Sequence, residues 1–150
     1  MIDTRFSTAL HVVIRIALND VENVRSTSSS LSETLNTNPS FVRKLLSPLI
    51  AASIVSPSKG NNGGLRLGRP PASISLGEIY RLVTNDKAVW SAREGVSGQC
   101  KLTERIALFS QDLCSKAEQT LMDMLDDISV QDSVDELHVQ LTASGVEITS

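Results

Sequence analysis

Apolar residues recur every three or four positions from Arg5 to Leu18, with Phe6, Ala9, Leu10, Val13, Ala17 and Leu18 on one side. That spacing predicts a core-facing helix. A polar break follows from Asn19 to Arg25. The run Ser26-Thr27-Ser28-Ser29-Ser30 is rich in helix-capping residues, and Ser30 and Glu33 have the spacing of a capping box. A short helix over about Ser29 to Leu35 is expected, with Leu31 and Leu35 inward. Asn38 suits an N-cap and Pro39 suits the first helical position, where its missing N–H costs nothing. The helix they open, to about Ala52, buries Val42, Leu45, Leu46 and Leu49 and turns Ser40, Arg43, Lys44 and Ser47 outward. Pro48 lies inside it. An interior proline costs roughly 3 kcal/mol, so a kink or early unwinding is expected there.

Ile54-Val55-Ser56 and Leu65-Arg66-Leu67 read as short strands joined by a glycine-rich turn, Pro57 to Gly64. Another helix should open near Ser75, with Leu76, Ile79 and Val83 inward. Asn85 to Gln99 is weakly patterned and reads as a loop. From Thr103 to Ile128 the helical pattern is strongest: Ile106, Phe109, Leu113, Ala117, Leu121 and Met124 continue a stripe that begins at Leu102. A rod of that length runs about 39 Å at 1.5 Å per residue, long for a small domain, so the six residues are expected to pair with a second copy, the plain alternative being a core helix lying across its own domain. The tail, 132–150, is weakly patterned, and His138 to Ile148 fits either a short strand or disorder. The expected organisation is a DNA-binding unit over 1–84, a linker over 85–102, a dimerisation helix over 103–131 and the tail. The fold class is mainly α with a small β-hairpin wing.

Charge sharpens this picture. From Thr34 to Gly77 the chain runs 44 residues without Asp or Glu while carrying Arg43, Lys44, Lys59, Arg66 and Arg69. That is +5 on a chain of net charge −3, leaving −8 on the remainder. Cations without carboxylates suit a polyanion, because each one that neutralises a phosphate releases counterions; a solvated basic face is the plain alternative. Five aromatic residues, Phe6, Phe41, Tyr80, Trp90 and Phe109, are too few for a platform that stacks single-stranded bases. No apolar run reaches membrane-spanning length, and the first residues lack a signal-peptide pattern, so a cytoplasmic protein without membrane contact is expected. His11 and His138 stand alone, no catalytic or metal-binding constellation forms, and the glycine-rich tip lacks the Gly-Lys-Ser/Thr of a phosphate-binding loop. An enzyme is not expected.

Helix, tight turn, helix, glycine-rich hairpin is the order of a winged helix-turn-helix. Ser32, small, leaves room for the two helices to approach. The helix from Pro39 would place its N-terminal end in a major groove. The candidate DNA contacts are Ser28, Pro39, Ser40, Arg43 and Lys44 on the helical part and Lys59, Asn61, Arg66 and Arg69 on the wing. The same fold also serves as a protein-binding module, which remains the alternative.

Asn38-Pro39-Ser40-Phe41-Val42-Arg43-Lys44-Leu45-Leu46, the segment Ile54 to Pro70, Ile74 to Ile79 and the opening Arg5 to His11 together resemble the Rrf2 family of bacterial transcriptional regulators over roughly residues 1 to 128. Ser53 stands where that family usually has Gly, Lys59 where Arg is commoner, and Leu65 where an aromatic is frequent. The resemblance implies a dimeric winged-helix regulator. Many members hold an iron–sulfur cluster on three closely spaced cysteines before the long helix. Here Cys100 occupies that region, Ile106 stands where a second ligand could fall, and Cys114 is the only other thiol. Two thiols do not supply a cluster within one subunit, so the chain resembles the cluster-free branch and no cofactor is expected. Cys100, at a loop-to-helix boundary near Arg93, Lys101 and Arg105, is the candidate for thiol oxidation, with an ordinary partly buried cysteine as the plainer alternative. Packing is the plainer role for Cys114.

Overall fold

The computed structural model describes residues 3–60, 63–85, 87–91 and 100–145. In order these form α1 (Arg5–Glu22), α2 (Ser28–Thr34), α3 (Pro39–Ala51), β1 (Val55–Pro57), β2 (Leu65–Leu67), a 3-10 turn (Pro71–Ser73), α4 (Leu76–Thr84), α5 (Lys101–Asp126) and α6 (Val130–Ala143). The fold is mainly α with a two-stranded antiparallel wing, in which Val55 faces Leu67 and Pro57 faces Leu65. Pro57 is tolerated because β1 is the outer edge; the other side of β2 pairs with Ser26.

α1 runs through the core, with Ala9, Val12, Val13, Ile16 and Ala17 buried. It continues a full turn beyond the break read at Asn19, ending at Asn23 in the left-handed conformation, φ 55°. Asn19 is buried, and its side-chain amide donates to Ser26 Oγ at 2.9 Å, so the polar residue is satisfied inside the fold. The capping box of α2 falls three residues before the expected frame. Thr27 Oγ1 accepts from Ser30 N at 3.1 Å, and Ser30 Oγ accepts from Thr27 N at 3.0 Å. The wing sets this frame, because its pairing with Ser26 holds the chain extended up to Thr27.

Asn38 caps α3, accepting from Ser40 N at 2.8 Å, with Pro39 at its start. Pro48 does not end the helix, which continues to Ala51. Only the bond to the Lys44 carbonyl is forgone, close to the helix end where little helix remains to disrupt. Ser53 then takes φ 59°, the left-handed conformation that costs a side chain about 1–2 kcal/mol. The family resemblance expects glycine at this position. Ser53→Gly should therefore raise stability by about 0.5–1 kcal/mol after glycine's own entropic cost. Thermal unfolding would register this as a higher Tm, and a lower one would show that the serine is favoured there.

The C-terminal part is built into the same core. The sequence leaves 132–150 between a short strand and disorder; Val130–Ala143 is instead a helix with Ser129 and Asp132 as its capping box. It packs on α1 and the 3-10 turn. The segment before it pairs with the start of α4: Leu76 N donates to Ile128 O at 2.8 Å, and Val130 N to Ile74 O at 2.9 Å. α4 and α5 are joined by Arg81, whose guanidinium grips the Asp126 carboxylate through both oxygens. This pairing holds the Asp126 carboxyl below its ordinary value. A side chain at Gly77 would collide with that carboxylate. α5 spans 26 residues and begins at Lys101, two residues before the expected start. Among the described residues no helix is long and apolar enough to cross a membrane.

Candidate nucleic-acid interface

α2 and α3 meet through a short turn made possible by Ser32, which is buried and donates its hydroxyl to Ser29 O at 2.7 Å, and by Asn36, left-handed at φ 47°. α3 is oriented by its buried face, so Ser40, Arg43 and Lys44 stand exposed on the other side. Arg43 Nη2 donates to Ser40 Oγ at 3.1 Å, which holds the guanidinium near the N-terminal end of the helix. Pro39 is exposed at that end, and Ser28 is half-buried at the start of α2. Ser28 and Arg43 line one open groove with Thr27, Leu46, Ile50 and Gly64, about 460 Å³ in volume, between α3 and the wing.

The wing cations divide. Lys59 is exposed beside Gly60, whose φ of 118° favours glycine. Asn61 lies outside the described residues. Arg66 is exposed and its Nε is 3.9 Å from Asp20 Oδ1, a loose approach. Arg69 departs from its expected role. Its Nη2 lies 2.7 Å from both Glu78 carboxylate oxygens, and its buried Nε has no partner. Arg69 therefore fastens the exit of the wing to the first turn of α4 rather than standing free for a phosphate. The pairing is not visible in the carboxylate-free stretch because Glu78 is the residue immediately after it and folds back onto it. Arg43, Lys44 and Lys59 enter no ion pair among the described residues. The sequence reading passed over Arg25, which lies before the cationic stretch and reaches the wing only through the fold.

α5 presents its apolar stripe outward. Phe109 is 66% exposed and Ile106 56%, with Leu113 and Met124 likewise exposed. Ala117 and Leu121 are half-buried, and Leu121 packs against the core. Leu102 continues the exposed row. At 100° per residue the exposed four cluster within about 60° of arc, centred about a third of a turn from core-facing Leu125. Cys100 is the N-cap residue of α5 and exposed; Cys114 is half-buried. The Thr103 backbone N–H is the main influence drawing the Cys100 thiol below its ordinary value, followed by the Leu102 N–H and the Thr103 hydroxyl. The sulfur does not close a capping hydrogen bond. Neighbouring cations, which the sequence suggested as the cause, are not among these influences, and Arg93 lies outside the described residues.

A two-helix unit with cations on the outer face of its second helix, flanked by a glycine-rich hairpin, is a winged helix-turn-helix DNA-binding domain. The family model of Rrf2, described as iron-dependent transcriptional regulator, matches residues 2–136. This chain belongs to the Rrf2 family. It is similar to YwnA of Bacillus subtilis (strain 168), named for HTH-type transcriptional regulation, at 26% identity over 137 residues, covering 91% of this chain and 99% of that one. NsrR of Bacillus licheniformis, an HTH-type transcriptional regulator, is 28% identical over 129 residues, covering 84% and 86%. Among solved structures, CymR (YrzC), the global cysteine regulator of B. subtilis, superposes with a TM-score of 0.68 at 23% identity, covering 91% and 97%. The family's proteins are transcriptional regulators and not enzymes, so this chain is a DNA-binding regulator of transcription.

The iron in the family's description can be tested against the donors present. Cys100 and Cys114 are the only thiols of the chain. Fourteen residues along a helix separate them by about 20 Å, too far for both to ligate one cluster. Among the described residues no three His, Cys, Asp or Glu side chains gather as a metal site. This donor set does not fit an iron–sulfur cluster held within one chain.

Proposed function

We propose that this chain acts in the cytoplasm as a cluster-free homodimer that binds a palindromic operator in double-stranded DNA. The observation that carries the reading is the set of exposed cations, Arg43 and Lys44 on the outer face of α3 and Lys59 on the wing, none of them in an ion pair among the described residues, with Arg43 lining the open groove between α3 and the wing. α3 of each protomer enters a major groove, Ser40, Arg43 and Lys44 face the bases and nearby phosphates, and Lys59, Asn61 and Arg66 follow the adjacent backbone. Two copies joined through α5 set the half-sites about 34–36 Å apart. Cys100 supplies a switch. A hydroperoxide is attacked by the thiolate sulfur, an S–O bond forms as the O–O bond breaks, and hydroxide or alkoxide leaves. The sulfur is oxidised by two electrons to sulfenic acid while the peroxide is reduced. The new group at the N-terminus of α5 shifts the helix on which the spacing of the two α3 helices depends.

The test is titration of the purified protein against duplexes from upstream of its own gene, across a salt series, with and without hydroperoxide. With roughly 6–10 phosphates neutralised per dimer, log K against log salt should slope between about −5 and −9. Arg43→Ala and Lys59→Ala should each weaken binding while the dimer stays folded. Unchanged affinity in both, or a slope near zero, would overturn the DNA assignment in favour of a protein-binding module. Hydroperoxide should release DNA from the native chain but not from Cys100→Ser, and equal response in the two removes the thiol from the reading.

A further inference from the structure

Arg25 is anchored by the fold in a way its surroundings in sequence do not suggest. Its neighbour Ser26 is fixed on two sides, accepting from Leu65 N at 2.8 Å through its carbonyl and from buried Asn19 through its hydroxyl. Arg25 Nε then donates to the Gly63 carbonyl at the return of the wing. The stem of the arginine crosses Gly64, where an added Cβ would lie 3.2 Å from Arg25 Cγ and 2.6 Å from Ser26 O. Glycine at 64 is therefore what admits the arginine to the wing. With Nε engaged, the two Nη groups have no partner among the described residues, and the residue is exposed.

Arg66 borders the same place. Arg25, Arg66, Asp20, Asn23 and Ser58 line a polar cleft of about 410 Å³ at the wing base. Asp20 is the carboxylate in this lining, and its Oδ2 already accepts from Leu67 N at 2.8 Å. Two guanidiniums against one engaged carboxylate leave the cleft cationic. Gly64 and Leu65 line both this cleft and the groove that holds Arg43, so the start of β2 is the ridge between them.

We infer that Arg25 and Arg66 form a second DNA contact, a two-arginine clamp on the sugar-phosphate backbone along the side of the wing away from α3. The inference rests on the DNA-binding reading above and adds a strand contact from a segment outside the helix-turn-helix and the hairpin. A duplex seated on α3 passes over the Gly64–Leu65 ridge and brings its next run of phosphates to this cleft. A guanidinium fixed by Nε and open at both Nη atoms meets two phosphate oxygens in its plane, a match an ammonium does not make.

The experiment is fluorescence anisotropy with a labelled short duplex of arbitrary sequence at low salt, and with the operator duplex once recovered, since phosphate contacts are independent of sequence. Arg25→Ala should weaken binding about tenfold and flatten the salt slope by about 2 per dimer, one phosphate per protomer. Arg66→Ala should do the same, and the double variant should lose about 4. Arg25→Lys should keep the slope, because the charge remains, while losing part of the affinity. Thermal unfolding of each variant checks that the wing stays folded. Unchanged affinity in Arg25→Ala, or weakened affinity with an unchanged slope, would overturn the clamp; the latter result identifies Arg25 as a pin for the wing alone. If the native chain shows no salt-dependent duplex binding, the DNA-binding reading fails first and the clamp falls with it.

Discussion

Phe109→Asp should leave the chain folded, convert it to a monomer and weaken operator binding on the order of a hundredfold. Phe109 is two-thirds exposed on the α5 stripe and lies outside the core cluster, so the change removes no core packing from the single chain. In the proposed dimer the same residue is enclosed by a second copy, where an unpaired carboxylate is strongly disfavoured. Uncoupling the two α3 helices removes the second half-site from effective reach, since each protomer must then bind as an independent particle. Sedimentation velocity reads the mass and anisotropy reads the affinity. A variant that remains dimeric and binds DNA as before would place the dimer interface elsewhere.

Gly68→Ala should destabilise the fold by about 1–3 kcal/mol, the usual range for overpacking, and lower Tm by about 2–4 °C for each kcal/mol. The added Cβ would stand 2.3 Å from the Ser53 carbonyl oxygen, a backbone atom with little freedom to move. Gly68 N also donates to Ile54 O at 2.9 Å, so the collision separates the wing from the end of α3 at the point that sets their spacing. DNA binding should fall with stability. Thermal and denaturant unfolding measure the first effect, and an unaltered Tm would show that the Ser53 turn yields at small cost.

The parts of the fold that could be read from sequence are those fixed by local chemistry. Asn38 and Pro39 specify the start of α3 through bonds made within two residues, and the periodic burial of Val42, Leu45, Leu46 and Leu49 follows directly. The wing could be read because strand-forming residues flank a glycine-rich turn. The capping frame of α2 is not legible because the serine run offers several overlapping frames, and the choice among them is made by Leu65, almost forty residues away in sequence. α6 carried its own signals, the Ser129/Asp132 cap and apolar residues at 130, 134, 137 and 141. Valine-rich spacing and a lack of basic residues obscured them. At the interface, the exposed cations of α3 were legible from the helical period. Arg69 and Arg25 were not, because tertiary partners decided both: Glu78 occupies Arg69, and Gly63 lifts Arg25 onto the wing.

The ties at the base of the wing also determine when its conformational freedom is lost. Strands of three residues joined only to each other would fray in water. Here β2 is held by Ser26 along its free edge, by the Asp20 carboxylate at Leu67 and by Ile54 at Gly68, while Arg69 anchors the exit. The backbone at the base of the hairpin is thus immobilised during folding, before any duplex arrives. Association then bears little further ordering entropy from that region. Calorimetry should accordingly find a modest heat-capacity change on binding, set by the contact area, and not the large one of a segment that folds onto its target.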